Sequence, residues 1–427
     1  MKKLFIIILL LIIAGLISPK FIGSVVESEH QAFVNKLNEN QAITVNSSTI
    51  TREWFTGKAE TEITFSLQDE GLENITFIVE EDLAFGPVIF TDDGVELALS
   101  YSQANINFKK LLLDEEIEAF INDKIHLSGL LTFSKNVVAK IVIDEVSKEI
   151  DGNKVTSARA FGDFTLADNK RLYGDFNWSG LTAVTNDESF TIGKVKFSLD
   201  QTLIAGNYFQ GNAISTGKFD FSMDSIAAKN TNKNTVLSLD NLLVNAVSKL
   251  DDELMTVTMK YNADKIEYEG QKLEDANLTI LVRDLNIVVM QEINTILAEL
   301  SVDGAGMFTA EIMDKLSALI EKLLVDKPVI EVEDFSVKTQ QGKIESSVHI
   351  SIDEKLFDTA NLMSIIPAVK VDAKGKAPMP FFDELGLTPM VDLYIEEGYV
   401  LLKEDELSFI VNFAQGKLKI NDKVIPM

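Results

Sequence analysis

Three histidines and 66 carboxylates are the groups in this 427-residue chain that could move protons or hold a metal, and no cysteine stands beside them. His30, His126 and His349 lie far apart, and none has the partner three or four residues away that a helix-borne zinc site needs. His30 falls on an apolar stripe of helical spacing, the setting of a packed or half-exposed histidine. His349 shares the polar side of an alternating segment with Glu345, Ser347 and Ser351, opposite Ile344, Val348 and Ile350, the setting of a solvated one. The lack of cysteine removes disulfides, thiolate ligands, thiol nucleophiles and a lipid-modified N-terminal cysteine together. No Gly-x-Ser-x-Gly turn, no phosphate loop closed by Lys-Ser or Lys-Thr and no calcium-loop spacing occurs. A carboxylate pair would suit hydrolysis of an envelope polymer, but spacing singles out no pair among 66 acids. The expectation is a non-enzymatic protein with no catalytic residue, no cofactor and no metal.

The side chains that invite a binding role are apolar. There are 26 Phe against 7 Tyr and 2 Trp, and a ring without a polar handle belongs in a dry interior or against a lipid-like ligand. One segment, Arg52-Glu53-Trp54-Phe55-Thr56-Gly57-Lys58-Ala59, combines two aromatics, a cation and a small pair at Gly57 and Ala59. Its aromatics are expected to clamp the first hairpin against the core, with Arg52 in an ion pair or over a ring. Arg52, Trp54 and Phe55 are thus the candidate structural or ligand cluster. The formal net charge of −27 repels phosphate-rich partners, and no Lys or Arg run offers a nucleic-acid footprint.

The elements that would position these groups begin with an export signal. Met1-Lys2-Lys3 precedes an apolar run from Leu4 to Ile17, the order the export machinery reads. Neither Leu16-Ile17-Ser18 nor Phe21-Ile22-Gly23 supplies the small residues of a cleavage site, and Pro19 follows Ser18 directly. Residues 1–23 therefore read as an uncleaved signal anchor of about 20 residues, long enough for a bilayer core, with Lys20 able to snorkel. Lys2 and Lys3 stay cytoplasmic and the chain from about Ser24 lies outside. A short helix is expected over Val25 to Leu37.

Beyond it the dominant period is two. Ile63, Phe65 and Leu67 alternate with polar residues, as do Leu172, Phe176 and Trp178; Val195, Phe197 and Leu199; Phe219, Phe221 and Met223; Met255, Val257 and Met259; and Leu407, Phe409 and Val411. One wet and one dry face is the pattern of antiparallel sheet. Asp92-Asp93-Gly94, Asp151-Gly152-Asn153 and Gly206-Asn207 read as turns. Helices are expected over Asp114 to Asn122, Leu285 to Leu300, Glu311 to Leu324 and near Phe381 to Ile395, with Gly304-Ala305-Gly306 as a turn between the middle two. The fold class is α+β, predominantly antiparallel β: a large curved or sandwich-like sheet with a few amphipathic helices on its apolar face. The organisation is 1–23 anchor, 24–284 β-rich region and 285–427 helix-containing β-rich region continuous with the preceding sheet.

The Arg52 to Ala59 segment, soon after an anchor and before an amphipathic strand, resembles the bacterial YdgA-like family of unknown function, whose pattern there is Arg-Gly-Trp-Phe-x-Ser-x-Ala. Glu53 and Gly57 depart from it, and Ile50 stands where Tyr is common. Gly416-Lys417-Leu418-Lys419-Ile420-Asn421, with Lys423 and Pro426, is similar to the family's terminal hairpin, Asp422 replacing the usual Gly, and Pro328 through Gly342 fits the same scheme. The resemblance implies an inner-membrane anchor and a periplasmic body, and carries no catalytic residue. A looser likeness to AsmA-type envelope proteins, with their lipid-binding β-grooves, is one of architecture. The expected function is a membrane-anchored envelope protein that binds lipid or another apolar ligand on a Phe-rich groove, or aids envelope assembly. The alternatives are a scaffold docking another envelope protein and an envelope hydrolase.

Overall fold

The computed structural model describes residues 2–40, 43–66, 74–91, 94–109, 124–150, 152–185, 187–208, 212–230, 234–268, 270–300, 310–353, 355–357, 364–421 and 423–425, the side chains of 2–14, 109, 150, 298–300 and 310 excepted. The turn at Asp92-Asp93, the helix expected over 114–122, the Gly304 to Gly306 turn and the end of the terminal hairpin at Asp422 and Pro426 fall outside the described residues.

Helix α1 (Lys2–Asn38) is continuous over 37 residues, about 55 Å at 1.5 Å per residue. The leader and the helix expected after it are one element, running through Pro19. Among the described residues no helix is long and apolar enough to cross a membrane.

The rest of the chain is a meander. It starts with β1 (Ile43–Arg52), β2 (Thr56–Phe65) and β3 (Ile75–Phe85), passes the hairpin of β4 (Val88–Thr91) and β5 (Gly94–Leu97), and continues with β6 (Ser100–Lys109), β7 (Ile125–Leu131) and β8 (Val137–Ile143). Next come β9 (Val146–Ile150), β10 (Asn153–Ser157), β11 (Ala160–Ala167), β12 (Arg171–Trp178), β13 (Leu181–Val184), β14 (Ser189–Ile192) and β15 (Val195–Ala205). Four long strands follow: β16 (Ile214–Lys229), β17 (Thr235–Asp251), β18 (Leu254–Tyr268) and β19 (Gln271–Asn286). Helices α2 (Ile287–Leu300) and α3 (Ala310–Val325) interrupt, then β20 (Val329–Thr339), β21 (Gly342–Ile352), α4 (Ile365–Ala368) and β22 (Val369–Pro378). The chain closes with α5 (Met379–Glu384), α6 (Thr388–Glu396), β23 (Leu401–Lys403), β24 (Glu406–Ala414), β25 (Lys417–Ile420) and β26 (Lys423–Ile425). The single helix expected near Phe381 to Ile395 is two, parted at Gly386, whose φ of 70° suits a helix end.

All strands but β4 and β5 belong to one antiparallel sheet, the predominantly β architecture the alternation implies. β19 pairs with β20 across the α2–α3 insertion, so the sheet runs unbroken through residue 285. Helix α2 touches β19 and β15, and buries Val289 there. The helices cover the sheet only locally.

A crease crosses the sheet. β8 and β9, β10 and β11, β12 and β13, and β14 and β15 are four long strands, each broken near the middle, at Asp144-Glu145, Ala158-Arg159, Ser179-Gly180 and Gly193-Lys194. Backbone bonds from Ala158 to Gly180 and from Gly193 to Ser225 stitch the breaks to one another. The line continues where Asp224 and Asn241 drop out of the β16–β17 register and where Asp264 and Asp275 drop out of β18–β19. Gly180 (φ 109°), Asn241 (φ 53°) and Asp275 (φ 50°) adopt the left-handed backbone such irregularities use, and Asn241 donates to Asp264 Oδ2 at 2.7 Å.

The chain exposes 25521 Å2 to solvent. A compact globule of 47.3 kDa would expose about 16,000 Å2. Among the described residues few side chains of the sheet are fully buried and most on both faces are half-buried or exposed, so the sheet is open.

Candidate functional site

The Arg52 to Ala59 segment forms the β1–β2 turn, and its job is to hold α1. Pro19 removes the amide that would close on Gly15 and loosens that turn of α1. There the indole N–H of Trp54 donates to the carbonyl of Leu16 at 2.7 Å, and Lys20 Nζ sits 5.1 Å from the centre of the Trp54 ring. Pro19 itself is fully buried. About two turns further on, Arg52 pairs with Glu27 at 3.4 Å. Gly23 is needed between them: a Cβ there would stand 2.8 Å from Arg52 Cδ and 3.1 Å from the Phe85 ring. Gly57 is likewise pinned, since a Cβ would meet the Thr51 carbonyl at 2.7 Å and Phe85 at 2.9 Å. Below this clasp Val26 packs with Ala59, Leu83 and Phe85, flanked by Ile22, Ile50 and Leu131.

Trp54 and Phe55 are expected to clamp the first hairpin against the core; in the structure this turn meets α1 instead. Trp54 and Phe55 stay 47% and 48% exposed, because Trp54 reaches outward to a backbone carbonyl and Phe55 contributes its own carbonyl to the Phe85 amide at 2.7 Å. The ring that enters the core is Phe85. Trp54→Phe should keep the ring and lose the Leu16 bond, at a cost of about 0.5–1.5 kcal/mol. Urea unfolding checks it; an unchanged midpoint would mean the bond does not hold α1.

Deeper along the same interface His30 Nε2 lies 3.0 Å from Ser48 Oγ, which lies 3.2 Å from Thr61 Oγ1. His30 Nδ1 is 3.9 Å from Glu81 Oε2. No local pattern announces these contacts, because the partners are 18, 31 and 51 residues from His30. Hydroxyl, imidazole and carboxylate in sequence are the residue types of a nucleophilic triad, yet 3.9 Å is too long for an orienting hydrogen bond. Burial also raises Glu81 above the ordinary carboxylate value, although its bond to Ser102 opposes this, so the partner that should be an anion is pushed toward neutrality. The group works as a polar bolt between α1 and the sheet.

Burial lowers His30 below its ordinary value of 6.5. As pH falls below 6.5 the unfolded chain takes up that proton first, so His30 removes stability on the acid side. Glu81 acts oppositely: its raised value costs stability as pH climbs above the ordinary 4.5. His30→Gln, which can still bond Ser48, should lose less stability than the parent between pH 7 and pH 5.5 in urea titrations. Equal losses would remove His30 from the bolt.

The larger candidate surface is the apolar face on which α1 lies. Directly paired residues share a face, and one row runs Ala139, Phe164, Gly174, Leu199, Phe219, Ala246, Met259, Ile280, Val332, Val348, Ala373, Val411 and Ile420 across thirteen strands. None of the thirteen is fully buried. One residue along, on the other face, the paired row is Lys140, Asp163, Asp175, Ser198, Asp220, Asn245, Lys260 and Thr279. Phe197 lies between Phe164, Phe176 and Phe219 at ring-centre distances of 5.8, 5.3 and 6.4 Å, and Phe77 bridges Phe65 and Phe108 at 5.5 and 6.0 Å. At strand spacing the row is about 58 Å long, and with the row on either side its footprint is about 800 Å2, a continuous apolar strip of the kind that marks a ligand or partner surface.

The polar face has a basin of about 550 Å3 lined by Tyr101, Gln103, His126, Lys140, Arg159 and Asp163 among others. His126 pairs with Asp144 at 3.2 Å. Asp82 and Asp163 both border it, but they stand four strands apart, about 19 Å along the sheet, with Ser128 and Lys140 between them. That is not the opposed carboxyl pair of a glycosidase. His349, expected on the surface, is half-exposed and lies 3.1 Å from Glu331, which also takes Arg283 at 2.6 Å. Among the described residues no group of three or more histidine or acid side chains could hold a metal.

A family model described as a bacterial protein of unknown function (DUF945) matches residues 1–427. No curated protein and no solved structure matches the chain.

Proposed function

We propose that this chain, which belongs to the DUF945 family of bacterial proteins of unknown function, is a non-enzymatic envelope protein, tethered to the inner membrane by α1, that shelters lipid acyl chains on its apolar sheet face. The observation that carries the reading is the thirteen-strand row, apolar throughout and nowhere fully buried, beside a row that is polar. Water is a poor neighbour for such a surface, at about 25 cal/mol per Å2, so an apolar occupant gains much by covering it. Lipid is favoured as occupant because α1 lies on this same face and its first turns carry the apolar run Leu4 to Ile17, which makes the face continuous with the tether.

The likeness of Arg52 to Ala59 to the YdgA-like pattern supports a periplasmic body on an inner-membrane anchor, and the −27 charge suits a body kept off the anionic bilayer surface. Native mass spectrometry of the full chain released from detergent micelles tests the reading. Bound phospholipid is expected; a chain that carries none, even when offered lipid in excess, would overturn it.

A further inference from the structure

Where the β3–β6 ladder leaves the sheet, its polarity changes. Phe85 pairs with Ser100, Gly86 bonds Leu99, Ala98 bonds Pro87, and Val88 pairs with Leu97, so β4–β5 projects from the end of this ladder as a separate two-stranded sheet, reached through the cis Gly86-Pro87 bond. Within the sheet one side of this ladder is polar, with Asp82 opposite Gln103 and Glu80 opposite Asn105. In the hairpin the exposed side chains are instead apolar: Val88, Phe90, Val95 and Leu97 are exposed by 50, 81, 61 and 68%, while Ile89 on the reverse side is 2% exposed. Four exposed apolar side chains on one face of a two-stranded hairpin are unsuited to water and call for another medium there.

The position says which medium. Helix α1 runs back along β1: Asn38 accepts from Val45, Gly23 faces Arg52 and Phe85, and the Leu16 carbonyl meets Trp54. Its N-terminal turns therefore emerge at the end of the sheet from which β4–β5 projects. Phe21 on α1 is 68% exposed at that level, and Trp54 beside Lys20 has the makeup of a side-chain pair at a lipid–water boundary. We propose that the Val88, Phe90, Val95 and Leu97 face inserts among acyl chains at the bilayer surface, a second membrane contact beside α1. This rests on the tether reading above. Glu96 in the hairpin and the net charge of −27 make the contact apolar rather than electrostatic, so neutral lipid serves and added anionic lipid weakens it.

The chain has no cysteine, so Phe90→Cys and, at the far end of the sheet, Val424→Cys each take one environment-sensitive fluorophore. Both full-length proteins are reconstituted with phosphatidylcholine vesicles containing brominated acyl chains and floated on a gradient. The expected result is flotation of both, with blue-shifted, strongly quenched emission at position 90 and unquenched aqueous emission at 424. Flotation with aqueous emission at position 90 overturns the hairpin contact and leaves the tether standing. Failure of both proteins to float overturns the two together, and quenching at both positions overturns the hairpin's special role.

Discussion

Phe85→Ala is expected to destabilise the protein by about 3–5 kcal/mol, the usual cost of emptying a buried phenylalanine site, and to free α1. Phe85 is 3% exposed and stands in a buried cluster that joins α1 to the sheet, with Val26, Ala59 and Leu83. Gly23 and Gly57 are both bare because this ring, together with Arg52 at the first and the Thr51 carbonyl at the second, occupies the space their side chains would need. The loss should be unevenly spread: β16 to β19 are 15 to 17 residues long and do not touch the cluster, so urea unfolding should split into an early phase for the α1 end and a later one for the central sheet. Limited proteolysis should cut α1 near Glu27 to Lys36 in the variant before the parent. A single transition shifted by under 1 kcal/mol would mean the cluster is not what fastens the helix.

Phe197→Asp should leave the fold standing and remove the bound lipid. Phe197 touches three phenylalanine rings but is only half-buried, so losing its cross-strand pairs costs about 1–2 kcal/mol. The carboxylate stands on the apolar face in the row next to Leu199, where an acyl chain would have to desolvate it, and an unpaired charge in an apolar contact is expelled. Phospholipid extracted from the purified variant should fall several-fold while its melting curve moves only a few degrees. Asp220→Ala, at a neighbouring position on the polar face, should retain the parent's lipid. Equal lipid in all three proteins would separate the phenylalanine ladder from lipid binding.

The sheet was legible because alternation is local: Phe219, Phe221 and Met223 show their shared face without any knowledge of their neighbours. The crease was not, although its residues have a recognisable chemistry. Asp224, Asn241, Asp264 and Asp275 are mid-strand acids or amides on four successive strands, and Asn and Asp are the non-glycine residues that best tolerate left-handed backbone. Only the register shows that they align. The clasp was half legible. Arg52, Trp54 and Phe55 stood out by type, but the partner of Trp54 is a backbone carbonyl beside Pro19, and Pro19 bore in the sequence on cleavage rather than docking. The partners of His30 are invisible in its local sequence, since Ser48, Thr61 and Glu81 reach it only through the pairing of β1, β2 and β3.

The most direct measurement places a photo-activatable phenylalanine analogue at position 197 of the full chain, irradiates living cells and weighs the products. Phospholipid-mass adducts at that position, absent from the same label placed at Asp220, are the result the acyl-chain reading predicts. A discrete protein adduct at 197 with no lipid would contradict it and make the apolar face a docking surface for another envelope protein.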